Sequence, residues 1–333
     1  MSAVSIKTIA QKAGVSPSTV SRALRNDPRI SPETTQRVQT LAQELGYVPS
    51  QVARSLVLQR TRTLGIVVTT AADPYVSQVL SGVEEAAASA GYATILATSG
   101  GLPEQELQAV EMLRQRWVDA LIVISSRASD LYGAIMAEID QPVVLVNGQA
   151  DAPGCYSVRI DSVAAARLAT HHLLGLGHRR IAFIGGPASG RSSAHRREGY
   201  LAALQDAGLR VDHRLLLPGV GEAADGRRAL PWILDLQATA VVCYNDMTAF
   251  GLLAAAAAIG VDVPGELSVV GIDNLPYAEL SYPPLTTVDQ RAAELGRTAV
   301  EIALRSVEGQ PARDVVLEAD LVVRASTAPP SEP

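Results

Sequence analysis

The sequence predicts a small all-α module over residues 1–47, a connecting segment over 48–62 and a two-lobed α/β body over 63–333. Three observations carry this reading. Residues 1–62 hold nine Lys plus Arg against three Asp plus Glu, whereas the 333-residue chain has a net charge of -6, so the other 271 residues carry -12. From residue 63 onward short apolar runs alternate with stretches of helical periodicity. Polar residues stand directly after those runs. At 47% apolar and 19% charged residues the composition is that of a globular protein, and no apolar run approaches the roughly 18 residues that span a bilayer, which argues against membrane insertion.

In the basic module, Ile6, Ile9, Ala10 and Ala13 recur at helical spacing, Gly14 interrupts them, and Val20, Ala23 and Leu24 resume it. This reads as helix, tight turn, helix. Ser16 is placed to cap the second helix, and Pro17 suits its first position, where a missing N–H costs nothing. With Val20 and Leu24 turned inward, Ser18, Thr19, Ser21, Arg22 and Arg25 are left to face outward. Ser31-Pro32 repeats the cap-and-proline start of a third helix, whose stripe is Val38, Leu41, Ala42 and Leu45 and whose expected stop is Gly46. The next stretch, Pro49 to Leu56, has room for one or two helical turns, too few to be stable alone in water, so it is expected to order on a partner.

The body begins at Leu64–Val68, a compact apolar run of the kind that forms a buried parallel strand. Ala93–Ala97, Leu121–Ile124, Val143–Val146, Ile181–Ile184, Ala240–Tyr244 and Leu267–Ile272 follow, and Asp314–Arg324 reads as the last strand. Alternation with helices argues for doubly wound parallel sheets, and about 250 residues ordinarily divide into two lobes. Ligands of such sheets bind beyond the carboxyl ends of the strands, which singles out Asp73, Ser125, Arg127, Asn147, Asn245 and Asp273.

Several chemistries are excluded. The only lysines are Lys7 and Lys12, so the body lacks the amine of a P-loop, a Schiff base or a Ser-x-x-Lys nucleophile, and GxGxxG is absent. No enzyme and no cofactor are expected. His171, His172 and His178 match no familiar ligand spacing, so no metal is expected either. Cys155 and Cys243 lack CxxC spacing, and the N-terminus lacks a secretory apolar stretch, which together suggest a reducing cytoplasm. A basic end on an acidic body marks a nucleic-acid or membrane contact, or else a solvated helix face.

The strings IKTIAQKAGVSPSTVSRAL, GYVPSQVARSL, LGHRRIAFIGGP, YNDMTAFG, LSVVGIDN and PPLTTVDQ, taken in this order along nearly the whole chain, resemble the LacI/GalR (lactose-repressor and galactose-repressor) family of bacterial transcription regulators. The resemblance implies a helix-turn-helix headpiece, a hinge helix, and an effector domain similar to periplasmic sugar-binding proteins. Its N-lobe would span about 63–160 and 291–319, and its C-lobe about 161–290 and 320–327. It also implies a homodimer, or a dimer of dimers, on double-stranded operator DNA. The tail Ala325–Pro333, with three prolines and no leucine heptads, favours the dimer.

In the headpiece the resemblance assigns DNA contact to Ser16, Ser18, Thr19, Ser21, Arg22 and Arg25, with Arg22 suited to a bidentate pair with guanine. In the hinge it places Leu56 as a wedge in the minor groove, with Ala53 beside it. In the body it points to Arg196, three residues before Gly199-Tyr200, and to Asn245 and Asp273 as effector contacts, while Asp246 reads as the cap of the following helix. Asn147 matches a polar ligand contact. Asp73 belongs to the loop after the first strand, Tyr75 either stacks on a sugar or sits at the lobe edge, and Ser125 or Arg127 completes that side. The implied protein is a repressor of a palindromic site, controlled by a small polar effector: a sugar or sugar acid, with a purine-like ligand as the alternative. A periplasmic binding protein would share the body but have no use for the basic headpiece.

Overall fold

The computed structural model describes residues 5–47, 60–128, 131–136, 139–149, 151–188 and 190–331. Its contacts divide the chain into two units, Met1–Thr61 and Arg62–Pro333.

The first unit holds α1 (Ile6–Ala13), α2 (Pro17–Ala23) and α3 (Pro32–Glu44). Each begins at a serine, Ser5, Ser16 or Ser31, whose hydroxyl accepts the backbone N–H three residues on. Such caps contribute about 1 kcal/mol each. Gly14 closes α1 at φ 66°, and beyond α3 Gly46 turns at φ 61° so that the Tyr47 N–H reaches Ala42 O at 2.8 Å. The core is small: Ile9, Ala10, Ala13, Val20, Ala23, Val38 and Ala42. Ala23 rather than Leu24 is the fully buried partner of Val20, because the helices pack closely enough to prefer a methyl group there, and Leu24 stays half-buried with Leu41 and Leu45.

The second unit opens with β1 (Thr63–Val68), α4 (Pro74–Ser89), β2 (Ala93–Thr98), α5 (Pro103–Gln115), β3 (Ala120–Ile124), β4 (Val143–Val146) and β5 (Cys155–Ile160). Next come α6 (Ser162–Gly175), β6 (Ile181–Ile184), α7 (Arg191–Asp206), β7 (Leu216–Leu217), α8 (Ala223–Asp235), β8 (Ala240–Cys243), α9 (Asp246–Ile259), β9 (Ser268–Asp273) and β10 (Thr286–Asp289). The chain ends with α10 (Ala292–Val307), β11 (Val315–Leu317) and β12 (Asp320–Val322). Single helical turns lie at Tyr132–Ile135 and Tyr277–Leu280.

Two six-stranded sheets result, in the orders β11-β5-β4-β3-β1-β2 and β12-β10-β9-β8-β6-β7. All pairings are parallel except β12 with β10. β3, β4, β6 and β8 are buried along their whole length, which is why they read as unbroken apolar runs. β5 and β10 escaped that reading because their sequences, CYSVRI and TTVD, interrupt the run with polar side chains. The expected last strand, Asp314–Arg324, is corrected to two short strands. β11 joins β5 in the first sheet, and β12 joins β10 in the second, because the chain leaves one sheet for the other at Glu318-Ala319.

The chain thus passes between the sheets three times: after β5, after β10 and after β11. Through the second passage α10 returns to the first lobe, where it buries Leu295, Ala299, Val300 and Ala303. It crosses α4 so closely that a Cβ on Gly82 would lie 1.9 Å from Ala293 O, and one on Gly296 would lie 2.1 Å from Val79 O. Only glycine permits that approach. In the second lobe Tyr200 is buried, stacked on Phe183 at 5.1 Å between ring centroids, and donates to Ile181 O at 2.7 Å. Beyond β12 the chain continues along this lobe, with Val269 N–H bonded to Ser326 O and Ala328 N–H to Ser268 Oγ. His178 belongs to that seam: Nε2 meets Ala328 O at 2.8 Å and Nδ1 meets Thr239 Oγ1 at 2.9 Å. Burial pulls its pKa below the usual histidine range. Among the described residues no helix is long and apolar enough to cross a membrane.

Candidate functional site: a recognition helix and an interlobe cleft

In the first unit, the start of α2 is a cluster of interlocked hydroxyls. Ser16 Oγ accepts the Thr19 N–H at 3.1 Å and lies 2.8 Å from both Ser18 Oγ and Thr19 Oγ1. Ser16 is therefore first a cap. Ser21 holds Arg25, which donates from Nη2 to Ser21 Oγ at 2.8 Å and from Nε to Ser21 O at 3.0 Å. Arg22 is exposed and makes no side-chain hydrogen bond or ion pair among the described residues, so its five donors remain available. Ala53 and Leu56 lie outside the described residues.

In the second unit a cleft of about 790 Å³, counting the open solvent at its mouth, lies between the lobes. Asp73, Tyr75, Ser125, Arg127 and Asn147 line it from the first lobe, and Arg196, Asn245 and Asp273 line it from the second. All eight residues singled out in the sequence meet there. Tyr244 and Gln290 join them, as do Arg191 and Ser192 at the start of α7.

The first wall is built on loops that follow parallel strands. Ser125 and Asn147 come directly after β3 and β4 in the left-handed region, at φ 57° and 54°, a conformation that costs a non-glycine residue on the order of 1 kcal/mol or more. Asn147 Nδ2 donates to the Tyr75 hydroxyl at 2.6 Å, and its Oδ1 accepts the Ile160 N–H at 3.2 Å. Tyr75 is only 8% exposed, and burial pushes its phenol above the ordinary range. Asp73 caps α4 through Oδ1, which accepts the Tyr75 N–H at 2.9 Å.

The second wall centres on Arg196, buried on α7. One Nη donates to Tyr244 O, the guanidinium carbon sits 4.6 Å above the Tyr244 ring, and the other Nη lies 3.7 Å from Asp273 Oδ1. Its Nε has no partner among the described residues. Asp273 also accepts from Gln290 Nε2. Burial drives the Asp273 carboxyl upward in pKa, and Arg196 opposes that rise.

The cap expected of Asp246 is formed instead by Asn245, which lines the cleft as well. Asn245 has the extended backbone of an N-cap, and its Oδ1 accepts from Thr248 N at 2.9 Å and Thr248 Oγ1 at 2.8 Å, while Nδ2 donates to Gly221 O at 3.0 Å. Asp246, fully buried, instead braces β10 and the loop after β9 by accepting from Leu275 N at 2.8 Å and Thr287 Oγ1 at 2.5 Å. Burial pushes its carboxyl up to about 6. The cap belongs to the residue just before the first helical one, and that residue is Asn245.

Two buried carboxylates behind the walls carry no obvious sequence signal. Glu106 on α5 accepts from Ser126 Oγ at 2.5 Å, Arg127 N at 2.8 Å and Tyr132 OH at 3.1 Å. Asp225 on α8 accepts through one oxygen, Oδ2, from Val220 N at 2.8 Å, Gly221 N at 2.8 Å and Glu222 N at 2.9 Å. An acid in the first turn of a helix reads as an exposed partner of the helix dipole. The loops these two hold were invisible until the fold was known.

Comparison with known proteins gives concordant results. Residues 5–50 match the profile of bacterial regulatory proteins of the lacI family, and residues 61–324 match that of periplasmic binding proteins and the sugar binding domain of the LacI family. The chain is 33% identical over 331 residues to the HTH-type transcriptional repressor CytR of Escherichia coli K12, covering 98% of this chain and 96% of that one. It is 32% identical over 330 residues to the HTH-type transcriptional regulator DegA of Bacillus subtilis, covering 97% and 98% respectively. A solved structure of the Lac repressor dimer bound to operator and an anti-inducer superposes with a TM-score of 0.88 at 27% identity, covering 98% of this chain and 99% of that one. A complex of the transcriptional regulator CelR with cellobiose superposes at 0.73 with 30% identity, covering 97% and 99%. These relatives are transcription regulators rather than enzymes. A capped helix-turn-helix that presents a free arginine, a body of two parallel sheets around a polar cleft, and agreement along almost the whole length place this chain in the LacI family of DNA-binding transcription regulators.

Proposed function

We propose that this chain is a cytoplasmic repressor that binds a palindromic operator as a homodimer and is controlled by a sugar or sugar acid held in the interlobe cleft. On this reading residues 1–47 form the DNA-binding headpiece, residues 48–62 the hinge with Leu56 as wedge, and residues 63–333 the effector and dimerisation domain. The observation that carries it is the convergence of an arginine, a carboxylate and amide side chains in one cleft, Arg196 and Asp273 with Asn147 and Gln290. Together they offer one guanidinium, a carboxylate acceptor and amides that both donate and accept, the set that reads ring hydroxyls and carboxylates. A purine-like ligand is less well served. Tyr244 already carries Arg196 over its ring, and the Tyr75 ring is almost wholly buried.

A ligand changes DNA affinity only by binding two arrangements of the protein unequally. Replacing Asp273 by Ala should therefore leave operator affinity near wild type and abolish the response to effector, as read by titrating the protein on operator DNA with and without ligand. Loss of operator binding in a folded Asp273→Ala protein with unchanged ligand affinity would overturn the assignment. In the headpiece, Arg22→Ala should cost about 1 to 3 kcal/mol at one position of each half-site, and an equal loss on scrambled DNA would make Arg22 a phosphate contact.

A further inference from the structure

The charges of the cleft are unevenly satisfied. Three arginines line it, Arg127, Arg191 and Arg196, against two carboxylates, Asp73 and Asp273. Both carboxylates are occupied: Asp73 caps α4, and Asp273 takes Gln290 and faces Arg196. Arg196 is engaged through both Nη by Tyr244 and Asp273, with only its Nε unpaired among the described residues. Arg127 makes no side-chain hydrogen bond or ion pair among the described residues, and the partner of Arg191 is the neutral amide oxygen of Gln149, at 2.9 Å. The two arginines come from opposite lobes, Arg127 from the loop after β3 and Arg191 from the first position of α7.

Arg127 also reaches across to the start of α7. A Cβ on Gly190, the residue before Arg191, would lie 3.0 Å from Arg127 Nη1, so the missing side chain leaves room for the guanidinium of the other lobe. Gly190 also brings no side chain to cap α7, and the positive end of that helix adds to the two guanidinium charges. Gly185 and Gly190 stand between a parallel strand and a helix that opens with Arg191-Ser192, the spacing of a phosphate-cradling turn with arginine where such turns carry lysine. The loop is not itself an open cradle, because the Gly190 N–H is bonded to Pro187 O at 2.9 Å. The recognition falls to side chains.

We infer that the effector carries an anionic group, a carboxylate or a phosphate on a hydroxylated body, and that Arg127 and Arg191 clamp this group from opposite lobes. The inference rests on the reading of the cleft as the effector site. Two like charges from facing walls oppose closure when nothing lies between them, and an anion shared by both reverses the sign of that interaction. The clamp thus makes lobe closure depend on the ligand's charge, while Asp273, Asn147 and Gln290 read its hydroxyls.

The test is calorimetric titration of the full-length protein with D-glucose and D-ribose, with D-gluconate, and with D-glucose 6-phosphate, D-ribose 5-phosphate and inorganic phosphate. Binding is expected from a carboxylated or a phosphorylated compound, and which of the two arms responds names the group. The corresponding neutral sugar should bind at least tenfold more weakly. Arg127→Gln and Arg191→Gln should each weaken anion binding at least tenfold and abolish the preference over the neutral sugar. Silence of every anionic compound overturns the proposal. So does a neutral sugar that binds as well as its anionic counterpart, untouched by either arginine substitution; if its binding is lost in Asp273→Ala, the cleft remains the effector site and only the clamp is wrong. Anion binding that survives Arg127→Gln, Arg191→Gln and Asp273→Ala alike places the site elsewhere and removes both readings.

Discussion

The two walls of the cleft are held up by the same device executed in different ways. Behind the first wall, Glu106 takes two side-chain hydroxyls, from Ser126 and Tyr132, and a single backbone N–H. Behind the second, one oxygen of Asp225 takes three successive backbone N–H groups of the Val220–Glu222 turn, while Arg228 satisfies the other. A turn held by its backbone keeps its path whatever side chains it carries. A turn held by hydroxyls depends on Ser126 and Tyr132 being there, so the first wall is the one that substitution can reshape. The second wall is the fixed template.

Removing Asp225 should be the most damaging change to either wall. Asp225→Ala strands three partly buried N–H donors and should cost about 3 to 5 kcal/mol in denaturant unfolding, more than any substitution of Glu106. A larger loss from Glu106→Ala would break the comparison. Next in size is an effect of pH, confined to the second wall. The Asp246 carboxyl, near 6 when folded, binds protons more tightly than in the unfolded chain, so the stability it contributes is present below the unfolded value of about 4 and is lost as pH rises through about 6. Wild type should lose up to about 3 kcal/mol relative to Asp246→Asn between those limits, and a constant difference across that window would refute it. Glu106→Gln keeps most of the shape and turns one acceptor into a donor, which should cost about 1 to 2 kcal/mol and weaken ligand binding in calorimetry. Ser126→Ala, which removes one bond from that network, should cost about 1 kcal/mol or less while measurably changing ligand preference, the clearest sign that the first wall is the adjustable one.

How much of this was legible depended on where each residue's partners lie along the chain. Ser125, Asn147, Asn245 and Asp273 stand directly after apolar runs and Asp73 in the loop after one, so strand ends alone brought them into view. Arg196 lies inside a helix, and only resemblance to a family pointed to it. Gln290 and Tyr244 carried no local cue: Gln290 reaches Asp273 because β10 pairs with β9, and Tyr244 reads as the last residue of a strand. Glu106 and Asp225 were hidden for the same reason, since their partners are 20 or more residues away or lie in a turn that sequence cannot shape. Asp246 was misread because two adjacent acceptors at a strand-to-helix junction differ only in backbone angle.

The three passages of the chain between the sheets also bear on the order in which the protein is made. The first lobe is discontinuous: five of its strands emerge early from the ribosome, but α10, which closes over α4, and the edge strand β11 come from the last stretch of the chain. A lobe without α10 leaves the apolar face of α4, including Val79 and Val83, open to water. The headpiece can fold as soon as it is made, since its helices are contiguous. The first lobe must wait, exposed, until nearly the whole message has been read, which makes a chain truncated before residue 292 a substrate for chaperones and proteases rather than a shorter regulator.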